Sequence, residues 1–517
     1  MSRCRAESCL SEAAVETLEH ILNGFAVCLQ PVNLWYTFVG VFLGTIIGVL
    51  PGIGPSAGIA LLIPVTYGMD PTSALIMMAG IYYGTKYGGS TTAILINTPG
   101  EAASVMTALD GYQMAKQGRA GAALAISAIG SFIAGTLGVV ALTLFALPLT
   151  ALALRFGPAE YFMLMLFAMT AVASLSGRSP AKAAISTILG LMLATIGIDL
   201  QSGQMRFTLG VPELQDGVGF VIAVVGLFAI AEVFSTLEEL LKGARPEIIR
   251  LQGGLWLTRE EWRRSAMPIL RGGVIGFIVG VLPGAGGTIA SIMSYTWEKR
   301  LSRHPEQFGR GAIEGVAGPE AANNSDTAGA MVPLLTLGIP GGGATAVMLG
   351  AFILYGIQPG PLLFQNRPDL VWGLIDSMYV GNVMLLVLNL PLIGIFVRLL
   401  YIPAGILMPL ILAISTIGIY ALNSNLVELY LGLFFGVLGY LFRKVEIPVA
   451  PLVLSLVLGT MMEQSFRQAM TISSGDPAIF VSSAISLVLL ALSVLSALLP
   501  WLLPRIKAWR EGAAGEA

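Results

Sequence analysis

Apolar runs long enough to cross a bilayer follow one another almost from one end of this chain to the other. A membrane-spanning helix needs about 20 mostly apolar residues. Candidates lie at 33–50, 72–96, 121–150, 160–175, 183–200, 217–237, 342–357, 371–400, 404–421, 426–442, 448–462 and 478–503. Only 11% of the 517 residues are charged, against about 25% in a soluble chain. So few charges cannot cover the surface of a water-soluble enzyme. Period-2 alternation is scarce, which argues against a β-barrel. The 62 glycines and 28 prolines sit among apolar residues, so the chain is neither disordered nor low-complexity. The expected fold is an all-α polytopic membrane protein with roughly 10–12 transmembrane helices.

The formal net charge of −2 gives no basic field for nucleic acid. Cys4, Cys9 and Cys28 are odd in number and form no disulfide or metal framework. Ser11 to Gln30 carries Glu12, Glu16, Glu19 and His20 ahead of the first apolar run. That is the wrong charge order for a secretory signal, and the stretch reads as an interfacial amphipathic helix.

Two basic stretches orient the chain. One holds Lys242, Arg245, Arg250, Arg259, Arg263, Arg264 and Arg271; the other holds Lys299, Arg300, Arg303 and Arg310. Basic residues accumulate on the cytoplasmic side. The run from Met267 to Trp297, broken at Pro283-Gly284-Ala285-Gly286-Gly287, then reads as a hairpin that starts and ends on that side. Arg505, Lys507 and Arg510 place the C-terminus there as well. The resulting division is an N-terminal segment (1–30), a first transport repeat (31–240), a basic linker (241–266), a second transport repeat (267–503) and a cytoplasmic tail (504–517).

The repeats are visible directly. Residues 40–56 read GVFLGTIIGVLPGIGPS and residues 272–288 read GGVIGFIVGVLPGAGGT; nine of the seventeen positions are identical. Glycines four apart let another backbone approach one helix face. The Pro-Gly-x-Gly that follows stops the helix, making Pro51, Gly52 and Gly54 and then Pro283, Gly284 and Gly286 the tips of two helix breaks.

A second pair lies downstream. Residues 88–104 and 323–345 each run from small polar residues through a short apolar stretch to Pro-Gly, at Pro99-Gly100 and Pro340-Gly341. Paired Gly/Pro interruptions in corresponding halves are the best sequence pointer to a transporter's binding site. Broken backbone at membrane depth has to line a cavity or be buried in protein. It then offers free N–H groups to an anion and carbonyls to a cation. Ser90, Thr91, Asn97, Thr98, Asn323, Asn324, Ser325 and Thr327 supply neutral polar ligands. Lys86 is the basic residue beside these motifs, and Asp326 and Glu101 are the nearest acids. A coupling Na⁺ is expected near Asn97 and Asp326, with H⁺ the alternative.

These same residues carry a family resemblance. PGIGP at 51–55, NTPGE at 97–101, LPGAG at 282–286, EKR at 298–300 and PEAANNSDTAGAMVPLLTLGIPGG at 319–342 resemble the large membrane subunit of the tripartite tricarboxylate transporter family. The resemblance runs from about residue 20 to 500. It implies secondary active uptake of citrate-like tricarboxylates, or of related di- and monocarboxylates, across a bacterial inner membrane. The driving force would be a Na⁺ or H⁺ gradient, with no other cofactor. It also implies two partners, a small TctB-like membrane subunit and a periplasmic TctC-like solute-binding protein. One departure is Gly287-Thr288, where a small apolar residue is expected.

Two other functions compete. Gly54-Pro55-Ser56-Ala57-Gly58 matches the GxSxG pattern of a nucleophile elbow. That would make an intramembrane enzyme, but the only histidines are His20 and His304, neither near Ser56 in sequence. A channel would need a ring-forming charged filter, and the sequence has none. The two repeats are expected to be inverted, with the 40–66 hairpin entering from the side opposite to 272–297.

Overall fold

The computed structural model describes residues 18–50, 53–175, 179–199, 202–242 and 254–498. They are helical almost throughout. The first half runs α1 (18–28), α2 (Pro31–Val49), α3 (Pro55–Leu62), α4 (Pro71–Ile96), α5 (Val105–Lys116) and α6 (Ala120–Ala153). Next come α7 (Pro158–Leu175), α8 (Pro180–Ala194), a two-residue hairpin β1 (Gly197–Ile198) and β2 (Met205–Arg206), then α9 (Phe220–Val224) and α10 (Ala231–Leu241) joined by a π-helical turn. The second half runs α11 (Arg259–Val281), α12 (Gly286–Leu301), α13 (Glu314–Leu337), α14 (Gly343–Leu354), α15 (Pro361–Asn366), α16 (Pro368–Asn389) and α17 (Ile393–Leu399). It finishes with α18 (Ala404–Asn423), α19 (Leu426–Lys444), α20 (Ala450–Ile472) and α21 (Ala484–Leu498). Among the described residues seven helices are long and apolar enough to cross a membrane, and five shorter apolar helices accompany them. This is an all-α, multi-pass membrane protein.

The two most extensive helix pairs are α2 on α4 and α11 on α13, and both are built by the repeated glycines. Gly40, Gly44 and Gly48 lie against the carbonyls of Met77, Ile81 and Thr85; Gly272, Gly276 and Gly280 lie against those of Gly318, Ala322 and Asp326. A Cβ on Gly44 would stand 2.6 Å from the Ile81 oxygen, and one on Gly280 2.5 Å from that of Asp326. Only glycine allows this approach. Lipid tails are as apolar as leucine, so close van der Waals contact between backbones has to hold such helices together. The matched contacts align 82–101 residue for residue with 323–342.

The aligned helices also end alike. Asp70 caps α4 by accepting hydrogen bonds from the backbone N–H of Thr72 and Ser73, with Pro71 in the first turn. At the other end Asn97 adopts the left-handed conformation (φ 54°), and Gly338 does the same at the end of α13 (φ 71°). A Pro-Gly follows each. α13 lies outside the sequence-derived spans, yet it is one continuous helix that ends at Leu337, ahead of Pro340-Gly341. Both α4 and α13 are buried on every side. Protein surrounds them instead of lipid, which is why they tolerate charged and amide side chains that lower their apolarity.

Around this pair, α6 packs on α13 and α16 packs on α4, so each half supplies an outer helix to the other half's central one. α7, α8 and α20 form one flank; α9, α10, α18 and α19 form another. Of the predicted helix-break tips, Pro51 and Gly52 lie outside the described residues. Gly284 and Gly286 both have positive φ (82° and 61°), and the Gly284 N–H donates to the Gly341 carbonyl at 2.8 Å. The first break of the second half is thereby hydrogen-bonded to its second.

Replacing Gly44 or Gly276 by Val should separate its helix pair and cost about 1–3 kcal/mol or more. Fluorescence-detected gel filtration and a thermal melt of the detergent-solubilised chain should show loss of the monodisperse, folded species. Gly394→Ala, where nothing lies within 4 Å of the added carbon, should change neither readout.

Candidate carboxylate and cation site

Where α4 crosses α13, one base meets three acids, all buried. Lys86 Nζ donates to Asn323 Oδ1 at 2.8 Å and pairs with Glu101 Oε2 at 3.3 Å; Asp326 Oδ2 stands 3.9 Å away. Asn323 Nδ2 closes the ring by donating to Glu101 Oε1 at 2.6 Å. Glu101 reaches the cluster because the Pro99-Gly100 break folds the chain back onto α4, with the Gly100 N–H on the Gly89 carbonyl. The start of α12 closes one side. A Cβ on Gly287 would lie 2.6 Å from Asn323 Oδ1 and 2.7 Å from Lys86 Nζ. The small apolar residue that the family pattern led us to expect there would not fit.

The third acid, Glu320, lies one turn earlier on α13. Its Oε2 accepts from Ser90 Oγ at 2.5 Å and its Oε1 from Thr107 Oγ1. Glu320 is absent from the sequence-derived site, although an acid six residues before Asp326 in the same polar stretch was the signal that could have found it. One ammonium cannot neutralise three buried carboxylates. The excess negative charge has to be met by protons or by a bound cation.

The structure sorts the other sequence-predicted residues. Asn323 and Asp326 face Lys86, but Asn324 and Ser325 face α6: Asn324 Nδ2 donates to Ser131 Oγ at 2.6 Å, and Ser325 Oγ abuts Gly138. Thr327 lies beside Tyr82, and Thr91 is buried within α4. A helix cannot aim five consecutive side chains at one point, so these residues serve two faces of α13. Asn97 and Thr98 end α4, with Thr98 Oγ1 on the Ile96 carbonyl. Eleven residues, or about 16 Å of helix, separate Asn97 from Lys86. Glu101, rather than Asn97, is therefore the residue of this break that shares a site with Asp326, and one Na⁺ does not bridge Asn97 and Asp326. A Cβ on Gly54 would stand 3.9 Å from the Glu101 side chain. Pro340 and Gly284 line a cavity of about 30 Å³ with Gly342 and Gly343, room for one water. Pro283 precedes that turn.

A much larger cavity, about 820 Å³, opens elsewhere, between the end of α8, the β-hairpin, α14 and α20. Arg206 and Arg467 face Glu463 and Asp199 there, with Arg206 Nη1 to Glu463 Oε1 at 2.8 Å and Arg467 Nη2 to Asp199 Oδ2 at 2.8 Å. Asp216 also lines it. Three acids against two arginines leave no net positive charge, so this cavity is not by itself an anion trap. None of the sequence-predicted site residues lines it.

Residues 34–454 match the profile of the tripartite tricarboxylate transporter TctA family. The chain belongs to that family. It is similar to two proteins of Agrobacterium vitis. One, described as an uncharacterized 52.8 kDa protein in the TAR-I ttuC' 3' region, is 48% identical over 497 residues, 96% of this chain and 98% of its own length. The other, described as an uncharacterized protein in the TAR-II ttuC' 3' region, is 48% identical over 236 residues, 46% of this chain and 97% of its own length. No solved structure matches. Membership makes the chain a subunit of a tricarboxylate transporter, and this TctA-type chain carries its densest buried charge where its two central helices cross. In the same frame, Ser56 lies in the first turn of α3 rather than on a strand-to-helix elbow, and His304 is exposed beside Glu306.

Lys86→Met should be strongly destabilising, by about 3–5 kcal/mol, because it leaves buried acids uncompensated. Adding Glu101→Gln to Lys86→Met should recover part of the loss. Thermal melts of the two variants and the parent check both signs.

Proposed function

We propose that this chain is the substrate-translocating subunit of a secondary active importer for citrate-like tricarboxylates or related di- and monocarboxylates in a bacterial inner membrane. A Na⁺ or H⁺ gradient drives it, a periplasmic solute-binding protein feeds it, and a small membrane subunit completes the complex. The observation that carries this reading is the Lys86–Glu101–Asn323–Asp326 ring at the meeting of the two helix breaks. Lys86 is the one cation of the ring, and in this arrangement an acid occupies it. A proton or Na⁺ taken by Glu101 or Asp326 loosens that pairing and frees the ammonium for a substrate carboxylate. Cation and anion then enter together, which is what coupling requires. Asn323 and the backbone N–H groups beyond each Pro-Gly supply neutral contacts.

The two repeats are inverted in this reading, and the unit carrying the breaks moves against the surrounding helices. Cysteines introduced at the bases of the 40–66 and 272–297 hairpins should label from opposite sides of the membrane; labelling of both from the cytoplasm refutes the inversion. In proteoliposomes supplied with the binding protein, labelled carboxylate should exchange against unlabelled. A channel would only dissipate its gradient. Asn323→Ala and Glu101→Gln should each sharply lower uptake at subsaturating substrate in a chain that still folds. Loss of one charge-assisted hydrogen bond corresponds to roughly tenfold to a hundredfold in affinity. Ser56→Ala should weaken transport only modestly, whereas an enzyme nucleophile would be indispensable. Wild-type uptake by both site variants would move the site elsewhere.

A further inference from the structure

The mechanism above leaves one buried acid unused. Asp376, in the third turn of α16, is fully buried, and neither of its carboxylate oxygens meets a hydrogen-bond partner. It is covered by α1, whose Gly24 brings its backbone directly onto α16. A Cβ on Gly24 would strike Asp376 Oδ2 and stand 2.7 Å from the Trp372 backbone. His20 stacks on the Trp372 ring at 5.7 Å, one turn before Gly24, and Cys28 is buried one turn after it. α1 thus lies as a fitted cover over the carboxyl.

The groups that face this carboxyl are few. From α1 it is Cys28 and from α16 itself Tyr379, while His20 stacks on Trp372 one turn away. α2 presents Thr37 and Val41 toward α16, α15 presents Phe364 and α6 presents Thr143, none of them charged. No lysine or arginine among the described residues pairs with Asp376. An ionised carboxylate without a partner is not tolerated in such surroundings. A hard metal cation would need a shell of oxygens, and no such shell surrounds this side chain. A proton is the ligand that fits.

Tyr379 interacts with Asp376 and shares a 3.0 Å hydrogen bond with Thr143. Tyr83 on α4 carries a buried hydroxyl with no partner.

We infer that Asp376 is a proton-loading site of the transport cycle, gated by α1. Resting on the carrier reading above, this names H⁺ as a coupling ion. With α1 seated, Asp376 holds its proton. When α1 lifts from Gly24, water reaches the carboxyl and the proton exchanges with that side of the membrane.

The test uses proteoliposomes holding the chain with its partner subunits and whichever of radiolabelled citrate, succinate or benzoate supports counterflow. Asp376→Asn, which mimics the protonated acid, should lose the several-fold acceleration of uptake by an inward proton gradient while still exchanging labelled for unlabelled carboxylate. Acceleration equal to that of the parent overturns the inference and leaves the carrier reading intact. Absence of counterflow in the parent chain would instead strike the carrier reading. Should Asp376→Asn fail to fold, the parent complex serves. A membrane-permeant carbodiimide, which attacks protonated carboxyls, should modify Asp376 at low pH, found by peptide mass mapping, and block gradient-driven uptake. Modification of other buried carboxyls but never of Asp376 at any pH overturns the inference.

Discussion

Close backbone contact at six glycines is the constraint on which the rest of this molecule depends. Within a bilayer, burying apolar surface gives helices little reason to associate, since lipid serves as well as protein. Gly40, Gly44 and Gly48 against α4, and Gly272, Gly276 and Gly280 against α13, replace that missing force with direct contact onto carbonyls. The pairs so formed are tight enough to seal α4 and α13 from lipid. Sealed helices can carry Lys86, Glu320, Asn323 and Asp326, which a lipid-facing helix could hold only at prohibitive cost. Packing comes first here, and chemistry is what the packing permits.

That order explains how much could be read from sequence. The glycine spacing and the Pro-Gly interruptions are local patterns, so the all-helical membrane fold was legible. The partners were not. Nothing local to Asn324 says that it faces Ser131 on α6, or that Asn323, its neighbour, turns the other way toward Lys86. Nor does a motif search weigh Glu320, whose significance comes from Ser90 and Thr107, each more than 200 residues distant. The continuous α13 was hidden by its own polar residues, because an apolarity criterion assumes a lipid neighbour and this helix has none.

The electrostatics of the crossing follow from arithmetic as much as geometry. Lys86 has more acids within reach than it can pair, and the hydroxyls on Glu320 can share a proton but cannot cancel a charge. A site of this kind is stable only in states whose cation content matches its anion content. Its charge balance therefore depends on bound protons or cations, whereas a one-to-one buried pair balances itself.

The anchoring of the loop before α13 has a consequence for motion. Asp110 on α5 accepts from the backbone N–H groups of Gly309, Gly311 and Ala312, each at 2.8 Å, and from the Tyr295 hydroxyl at 2.9 Å. Four donors on one buried carboxylate fasten a helix of the first half to the α12–α13 connection of the second. Any rigid body that carries α13 must carry α5 with it. Under the moving-unit reading proposed above, the boundary between moving and stationary parts then cuts across both repeats, and a unit that includes α13 is a chimera of the two halves.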